Sequence, residues 1–384
     1  MVIFFFIAFG LYIVGNLYMF VRGYQLLEIL GKHRIWYSIV FWITALSFIV
    51  AQILRMTDFS DELLRIVFLV GSFWIAIMLY VFLITLGGDF LRLFTWIFGI
   101  RFNFRPKDYL IIKAVLFGIV LIVVSVILVV GYNNAKRPQT THLRIPLDKS
   151  AGALTELRVV MISDVHLGLT YTQKDLARIV DVINEQNPDI VMLVGDIFDG
   201  DPKPVINDDM GVEFSRIQSK YGTYMSIGNH EYIGEREQRY SMNTGLKYLK
   251  SHGVQTLVDS VAFVNRSFYV VGRKDLMGGE RKTIPELLQG VNTRLPIIML
   301  DHQPYLLSEV EEAGVDLQLS GHTHHGQMWP LNYITGLLFE QDWGFLQKGK
   351  SNFYVSCGVG AWGPPVRTAG YSEVVVIDLI FNTN

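Results

Sequence analysis

The chain contains 384 residues, of which 51% are hydrophobic and 18% are charged, and its formal net charge is −2. Soluble globular proteins carry about 25% charged residues, so this composition excludes an ordinary cytosolic enzyme over the whole length. The charge is divided unevenly, because residues 1–144 carry 13 basic and 6 acidic side chains whereas residues 145–384 carry 20 and 29. A basic, apolar first part and an acidic second part indicate two domains in two different solvents.

Composition also argues against two kinds of site. The acidic second part predicts no nucleic-acid partner, because affinity for nucleic acid comes from basic side chains that neutralise phosphates. The single cysteine, Cys357, excludes an intrachain disulfide and a cysteine-based zinc cluster.

Long apolar runs dominate the first part of the chain. They occupy residues 2–21, 36–54, 66–87 and 110–132. Each has about 20 residues, the length that a helix needs to cross about 30 Å of hydrocarbon. The first run lacks a basic segment before it and a small-residue cleavage site, which argues against a signal peptide. We therefore predict an all-α bundle of four transmembrane helices over residues 1–132, in which Asn16 forms a hydrogen bond between helices.

The orientation follows from the basic residues of the short loops. The first and third loops contain Arg22, Lys32, Arg34, Arg92, Arg101, Arg105 and Lys107. The second loop contains Arg55 and Arg65 beside the acidic Asp58, Asp61 and Glu62. Loops one and three are therefore predicted to be cytoplasmic, which places the second part of the chain outside the cytoplasm. Lys136, Arg137 and Arg144, after the fourth span, oppose this orientation.

Two segments outside the spans have their own character. Residues 90–104 alternate aromatic side chains with arginines, which fits either an amphipathic helix in the membrane interface or a short connector beneath the spans. Residues 133–156 are polar and contain Pro138 and Pro146, which predicts a linker.

From residue 157 onward, short apolar runs alternate with amphipathic stretches. Eight runs are predicted as strands: residues 157–163, 189–195, 223–228, 267–272, 296–300, 315–321, 352–358 and 373–379. Three stretches are predicted as helices: residues 174–186, 244–252 and 305–313. Nearly continuous apolar strands indicate a sheet buried on both faces, so residues 157–384 are predicted to form an α/β domain.

Polar residues of metal-ligand type follow five of these strands. In chain order they are Asp164, His166, Asp196, Asn229, His230, Glu231, Asp301, His302, His322 and His324. Sites in open α/β sheets form beyond the carboxyl ends of strands, so these side chains are expected to converge. Burying so many imidazoles and carboxylates together without a cation would be costly. The pattern therefore predicts a metal site.

Spacing divides these residues into ligands and a proton donor. Asp164 and His166 are two positions apart, as are His322 and His324, so each pair can face one side of an extended segment. Asp196 can give one oxygen to each of two ions. Together with Asn229 and His302 these make seven N and O ligands, too many for one tetrahedral zinc and suited to two divalent ions. His230 would point away from the ligands and is the candidate acid.

The ordered set D-x-H, G-D, G-N-H-E, H and G-H-x-H resembles the calcineurin-like metallophosphoesterase superfamily over residues 155–380. The resemblance implies a four-layer α-β-β-α fold, with two face-to-face sheets flanked by helices. It implies that one metal ion is held by Asp164, His166, Asp196 and His324. It implies that a second is held by Asp196, Asn229, His302 and His322. It also implies that a hydroxide bridging the ions attacks phosphorus, with His230 as the general acid.

The segments GHTHHGQMWP and GVGAWGPPVRTAGYSEVVVIDL resemble a bacterial membrane-associated branch of this superfamily. Some members of that branch hydrolyse phosphoesters of lipid or cell-envelope molecules, and the resemblance implies a multi-pass protein of the bacterial inner membrane. The branch more often has H-G-G-Q where this chain has His325 in place of the first glycine. His325 is therefore a candidate substrate contact, or it only narrows the pocket.

Four other features have two interpretations each. Arg367 is a candidate phosphate contact, since guanidinium matches phosphate oxygens, or forms a surface salt bridge. Asp199 either supports the ligands from behind or caps a loop. Glu231 either orients His230 or the nearby backbone, or is purely structural. Residues 329–347, rich in aromatic and aliphatic side chains, form either a hydrophobic loop that meets acyl chains or the bilayer, or a hairpin packed on the core.

The sequence thus predicts a membrane-anchored, metal-dependent phosphoric ester hydrolase. Its expected substrate is a phosphomonoester, phosphodiester or pyrophosphate of a lipid or envelope molecule. The cofactors are two divalent ions, with manganese expected first and zinc or iron as alternatives. Two ions about 3.5–4 Å apart lower the pKa of a shared water to about 7. The alternative is a membrane sensor, transporter or scaffold whose phosphoesterase domain is regulatory or only binds a ligand.

Overall fold

The computed structural model describes residues 2–55, 57, 61–100, 104–236 and 241–382. The chain divides into two compact units, Met1–Gly131 and Tyr132–Asn384. Two residues of the predicted loops, Asp58 and Arg101, lie outside the described part.

Long helices make up the N-terminal unit. They are α1 (Val2–Leu26), α2 (Arg34–Leu54), α3 (Asp61–Ile97) and α4 (Pro106–Lys136). Three segments of the described residues are long and apolar enough to cross a membrane: Glu28–Leu54, Glu62–Ile97 and Pro106–Lys136. The first predicted span lies in α1. The structure does not describe the side chains of residues 2–8 of this helix. The structure thus supports three of the four predicted spans, and the first stays a prediction.

The third helix is longer than predicted. With 37 residues, α3 extends about 55 Å, well beyond the roughly 30 Å of a hydrocarbon core. The segment 90–104 was expected as an amphipathic interfacial helix or a short connector, and its first eight residues, 90–97, continue α3 without a break. The absence of proline lets the helix continue there, so these residues are helical rather than a connector, and their place in the membrane interface stays a prediction.

Close packing joins the helices of this unit. The Trp74 indole donates a hydrogen bond to Oδ1 of Asn16 at 2.9 Å, which confirms the predicted interhelical bond. A Cβ added at Gly71 would lie 2.4 Å from the backbone of Phe48, so this glycine lets α2 and α3 approach closely.

Two six-stranded sheets form the C-terminal unit, with strands numbered along the chain. The first contains, in spatial order, β1 (Gln139–Leu147), β12 (Glu373–Phe381), β2 (Glu156–Ile162), β3 (Ile190–Val194), β4 (Thr223–Ser226) and β5 (Val254–Leu257). The second contains β10 (Gly344–Lys348), β11 (Ser351–Val355), β9 (Leu317–Ser320), β8 (Ile297–Leu300), β7 (Phe268–Gly272) and β6 (Ser260–Val264). Both sheets are mixed, and all eight predicted strands are present.

The alternation of side chains on β2 explains the layers. Leu157, Val159 and Met161 point into a core shared with the second sheet. Val160 and Ile162 point to the opposite face, which helices cover. A third core lies between the second sheet and its own helices. The order helix, sheet, sheet, helix follows, because the inner strands β3, β4, β8 and β9 are buried along their whole length and need cover on both faces.

Short helices cover the two sheets. They are α5 (Gln173–Glu185), α6 (Lys203–Asn207), α7 (Asn229–Arg236), α8 (Met242–Ser251), α9 (Ile284–Leu287), α10 (Leu307–Glu312) and α11 (Asn332–Leu338). The three predicted helices correspond to α5, α8 and α10.

Strand β1 lies inside the segment that was predicted as a linker. It pairs in parallel with β12 over nine residues, from Gln139 opposite Glu373 to Leu147 opposite Phe381. The two prolines led to the linker prediction, but an edge strand tolerates proline because one of its sides has no ladder to complete. Lys136, just before β1, donates to the carbonyl of Thr170 at 2.8 Å and pairs with Asp175 at 2.9 Å.

Candidate metal centre

The predicted ligands converge where strands of both sheets end. Asp164 and His166 follow β2, Asp196 follows β3, Asn229 follows β4, and the remaining three follow strands of the second sheet. The seven side chains are Asp164, His166, Asp196, Asn229, His302, His322 and His324. Parallel neighbours in each sheet bring successive carboxyl ends to one edge, so residues up to 160 positions apart meet there.

Asp164, His166 and His324 form one group, in which the closest ligand atoms all lie within 4.8 Å of one another. Nε2 of His166 and Nε2 of His324 face each other at 3.0 Å. Nε2 of His324 lies 3.4 Å from Oδ1 of Asp164. This is the set that the resemblance assigned to the first ion, apart from Asp196.

Asp196, His302 and His322 form a second group within the same distance limit. Oδ2 of Asp196 lies 3.1 Å from Nε2 of His302 and 3.9 Å from Nε2 of His166. Oδ1 of Asn229 lies 2.7 Å from Nδ1 of His322. Asp196 therefore lies between the two groups, as a residue shared by two ions must.

The hydrogen bonds of the ring nitrogens indicate whether these residues suit a cation. Nδ1 of His302 donates to the carbonyl of Val194 at 2.8 Å, so the tautomer of this buried ring is fixed. Its Nε2 faces Oδ2 of Asp196 at 3.1 Å and has no hydrogen-bond partner among the described residues. A buried carboxylate facing a buried ring nitrogen needs a positive charge between them, which either a proton on the ring or a metal ion supplies. The donor set therefore fits divalent metal ions.

The electrostatics differ from one ligand to another. Burial raises the pKa of Asp196, but His302 and His230 outweigh burial and hold that pKa well below its usual range. Burial, reinforced by His302, lowers the pKa of His322 to about 4. Burial also lowers the pKa of His324 well below its usual value. Burial would also lower the pKa of His166 and of His302, but Asp199 raises the pKa of His166 and Asp196 raises that of His302 well above its usual value. Metal binding would therefore displace protons from these two rings, because an imidazole ligand must be neutral.

The backbone at the ligands is held in an unusual conformation. Five of the seven have left-handed φ angles: Asp164 (53°), His166 (51°), Asp196 (53°), His322 (72°) and His324 (49°). Each such residue costs of order 1–3 kcal/mol, and these conformations concentrate at functional sites. Along an extended chain these side chains would point to alternate sides. The left-handed residues bend the backbone so that the ligands point toward the same site.

Glycines leave the space that these ligands need. A Cβ at Gly228 would lie 2.2 Å from Oδ1 of Asp196 and 2.8 Å from Cδ2 of His302. A Cβ at Gly321 would lie 2.2 Å from Oδ2 of Asp164. The glycines of the G-N-H-E and G-H-x-H motifs are therefore required by packing against ligands.

We expect Gly228→Ala to weaken metal binding by about 100-fold, the upper range for changes that displace a ligand without removing it. The added methyl group must push Asp196 or His302 out of place. Isothermal titration of the metal-free protein with Mn²⁺ measures the effect.

Gly336→Ala is the matched control, because a Cβ at Gly336 meets nothing within 4 Å. Equal metal affinity in both variants would contradict the assignment of Asp196 and His302 as ligands.

Glu231 organises the backbone around Asp196. Its carboxylate accepts hydrogen bonds from four backbone amides: Asp196 (3.0 Å), Ile197 (2.7 Å), Phe198 (3.2 Å) and Gly228 (2.7 Å). Burial, reinforced by Asp196, raises the pKa of Glu231 to about 7. Of the roles considered from the sequence, orientation of nearby backbone is the one that the contacts support.

His230, the predicted acid, lies beside the first group. Its Nδ1 is 3.6 Å from Oδ1 of Asp199, and that oxygen is 3.7 Å from Nδ1 of His166. The backbone amide of His230 donates to Oδ1 of Asp196 at 2.8 Å. Asp199 therefore lies beside both a ligand and the candidate acid, a position that favours the supporting interpretation.

Arg367 lies beside a predicted ligand. The side chain is fully buried, which excludes a surface salt bridge, and its contact with phosphate stays a prediction. Its guanidinium donates to the carbonyl of Gly360 at 3.0 Å and to Nδ1 of His324 at 3.1 Å. The sequence could not indicate this burial, because PPVRTAG contains no apolar periodicity. Arg367 positions His324 rather than meeting solvent.

His325 is tied to the segment that follows it. Its Nδ1 lies 2.8 Å from Oδ2 of Asp342, and its ring lies 4.8 Å from that of Trp343. The hydroxyl of Thr335 donates to the same Asp342 oxygen at 2.7 Å. Asp342 was missed by sequence reasoning, although it is one of the few charged residues of the 329–347 segment. Whether His325 contacts substrate stays a prediction.

The 329–347 segment combines both interpretations given to it. It contains α11 and most of β10, and β10 pairs with β11 as a hairpin. The outer side chains of α11 are nevertheless exposed. The ring of Phe339 lies 6.0 Å from that of His322, and Trp362 lies 6.3 Å from His230, so aromatic side chains flank the site on two sides.

Comparison with known proteins agrees with the geometry. Residues 157–326 match the family model of the calcineurin-like phosphoesterases. An uncharacterised metallophosphoesterase of Campylobacter jejuni is 30% identical over 389 residues, covering 98% of each chain. A zebrafish (Danio rerio) transmembrane protein with a metallophosphoesterase domain is 32% identical over 67% of this chain and 61% of its own. An uncharacterised metallophosphoesterase of Aquifex aeolicus is 31% identical over 59% of this chain and 85% of its own.

The chain belongs to the calcineurin-like phosphoesterase family, and its described residues contain groups of side chains that could hold metal ions. It is a metal-dependent phosphoric ester hydrolase with apolar helices before the catalytic domain, which indicate association with a membrane. The recognition made from the ordered motifs is confirmed.

Proposed function

We propose that this protein is a membrane-anchored dimetal phosphoesterase that cleaves a phosphoester or pyrophosphate bond of a lipid or cell-envelope molecule. The observation that carries the chemistry is the shared position of Asp196, whose Oδ2 lies 3.1 Å from Nε2 of His302 and 3.9 Å from Nε2 of His166. Two metal ions that share this carboxylate would neutralise the buried charge.

Each ion has its own set of side chains. Asp164, His166, Asp196 and His324 would hold one, and Asp196, Asn229, His302 and His322 the other. When bound, two such ions supply an activated water and neutralise charge on the phosphate group. Manganese is the first candidate, because mixed carboxylate, amide and imidazole ligands suit it, with zinc or iron as alternatives.

His230 supplies the proton for the leaving group. Its Nδ1 faces Asp199, which leaves Nε2 available to protonate the departing oxygen. Its backbone amide donates a hydrogen bond to Asp196, which holds the acid at a fixed position relative to the metal ligands. The Trp362 ring beside it suits a leaving group with an apolar portion.

The membrane helices bear on the substrate and its location. Four spans, with the first supplied by α1, would place the basic first and third loops in the cytoplasm and the catalytic domain outside it. In a bacterium this is the inner membrane, where lipid and envelope phosphoesters are within reach. The acidic catalytic domain makes a nucleic-acid partner unsuitable.

Lipid mass spectrometry tests the substrate class. Total membrane lipid is incubated with purified full-length protein and Mn²⁺, and in parallel with an Asp196→Asn variant. We expect one phosphorylated lipid species to be depleted by the wild type alone, which names the bond cleaved.

Hydrolysis of bis(p-nitrophenyl) phosphate without any lipid change would overturn the lipid part of the proposal and leave the phosphoesterase chemistry intact. Water-soluble envelope phosphoesters would then be the substrates to test.

A further inference from the structure

One face of α11 is apolar and open to solvent. Leu337 is 87% exposed and Leu338 is 69% exposed, and Tyr333 and Ile334 lie one turn earlier on the same face. Residues 329–339 contain no Asp, Glu, Lys or Arg. We call Tyr333, Ile334, Leu337 and Leu338 the α11 surface. Four adjacent apolar side chains that are all more than half exposed mark a place of contact.

Hydrogen bonds on the inner side of α11 hold the α11 surface in place. Thr335, on the inner side of α11, donates to Asp342, and Asp342 also binds His325. The hydroxyl of Thr323 donates to the backbone carbonyl of Asp342 at 2.5 Å. Thr323 and His325 flank the ligand His324 in sequence. The surface is therefore held at a fixed position relative to the metal ligands.

Apolar contact continues from the α11 surface toward the site. Phe339 follows α11 directly, and its ring reaches that of the ligand His322. On the other side, Trp362 is 59% exposed beside the candidate acid His230. If a molecule placed its phosphate at the metal ligands, its hydrocarbon portion would contact the apolar side chains of Phe339 and Trp362 where it leaves the site.

The occupant of this surface follows from the rest of the chain. Glu62–Ile97 and Pro106–Lys136 are long and apolar enough to cross a membrane, and α4 ends only three residues before β1 begins. So short a connection keeps the catalytic domain at a high effective concentration next to lipid. A tyrosine with aliphatic side chains and no charge is also the composition that enters a membrane interface.

We propose that the α11 surface inserts into the lipid interface and that the metal centre thereby receives its phosphoester from the bilayer. This inference rests on the proposed lipid or envelope substrate and names the segment that meets it. The outer side chains of α11 lie among acyl chains, while Phe339 and Trp362 guide the hydrocarbon portion of the substrate.

A fluorescent label tests the contact without catalysis. The full-length protein carrying Leu337→Cys is labelled with a polarity-sensitive dye and placed in nanodiscs at one chain per disc. Cys357 does not compete for the label, because it is fully buried and burial raises the pKa of its thiol. Val212→Cys, at an exposed apolar position in the 3-10 helix Met210–Arg216, is the matched control.

We expect blue-shifted emission from the Leu337 label and strong quenching by lipids with a nitroxide near the headgroup. The Val212 label should be quenched by aqueous iodide instead. Equal behaviour of the two labels would overturn the proposal. A blue shift without quenching by lipid would also overturn it, since protein rather than lipid would then cover the surface.

A double substitution separates this inference from the proposed function. Leu337→Asp with Leu338→Asp should lower hydrolysis of a bilayer substrate at least tenfold while leaving hydrolysis of soluble bis(p-nitrophenyl) phosphate within twofold. Equal losses on both substrates would contradict the proposal. If lipid quenches the label but wild type cleaves no lipid, the α11 surface stands and the substrate class fails.

Discussion

Replacing Asp196 by Asn should reduce bound metal from two ions to one or none per chain and lower turnover by about 10³-fold. The amide keeps the shape of the side chain but removes the charge that both groups of ligands share. A metal ion supplies several kcal/mol of transition-state stabilisation, and each 1.36 kcal/mol corresponds to a factor of ten in rate. Elemental analysis of the purified protein and hydrolysis of bis(p-nitrophenyl) phosphate measure the two effects.

Asp148→Asn provides the matched control for this variant. The Asp148 side chain is 88% exposed and its nearest cation, Lys350, is 3.8 Å away. The same chemical change there should leave metal content and turnover as in the wild type. Two bound ions and near-normal turnover in the Asp196 variant would rule out Asp196 as the shared ligand.

His230→Ala should lower turnover by about 10²–10⁴-fold while metal content stays the same. Alanine retains the backbone amide that donates to Asp196, so the ligands keep their support. The loss should be smaller for a p-nitrophenolate leaving group than for an alkoxide, because a good leaving group needs little protonation. Single-turnover rates with the two kinds of ester measure this difference.

His142→Ala is the control for His230→Ala, since His142 lies exposed on the edge strand β1 and should tolerate the change. Loss of metal in the His230 variant would identify His230 as a ligand rather than an acid. Unchanged cellular function in an inactive His230 variant would favour the scaffold alternative over the enzyme.

The ligands were predictable because their signal is repeated. Any one of Asp164, Asp196 or His302 at a strand end has an ordinary structural explanation. Five strand ends in succession do not, because parallel strands carry all their carboxyl ends to one edge. The α/β layers followed for the same reason, since strands that are apolar on both faces require cover on both.

The supporting contacts could not be read from sequence. Arg367 looked like a surface or substrate residue, but its burial depends on the fold of residues 358–370 around it. Glu231 reaches four amides on two separate loops, a meeting that no local pattern encodes. Asp342 binds His325, which lies 17 positions earlier in the chain, with α11 between the two residues in sequence. Such partners are set by tertiary approach, which local propensity does not determine.

The edge elements were missed for a different reason. Strand β1 is short in apolar residues and contains Pro146, so composition pointed to a linker. Its stability comes from nine residues of pairing with β12 rather than from its own side chains. Likewise α3 continues through residues 90–97 because nothing interrupts it, whereas hydropathy alone marks only the part that fits a membrane.

The position of β12 between β1 and β2 has a consequence for the making of the protein. Arg158 on β2 pairs with Asp378 on β12, 220 positions later. While the chain emerges during synthesis, β2 has no neighbour on that side, and the amides of Val359 and Gly360, which donate to the carbonyls of Ser163 and Asp164, are not yet present. Contacts so distant in sequence form slowly. We therefore expect the complete set of ligands, from Asp164 to His324, to assemble only after the whole domain has been translated.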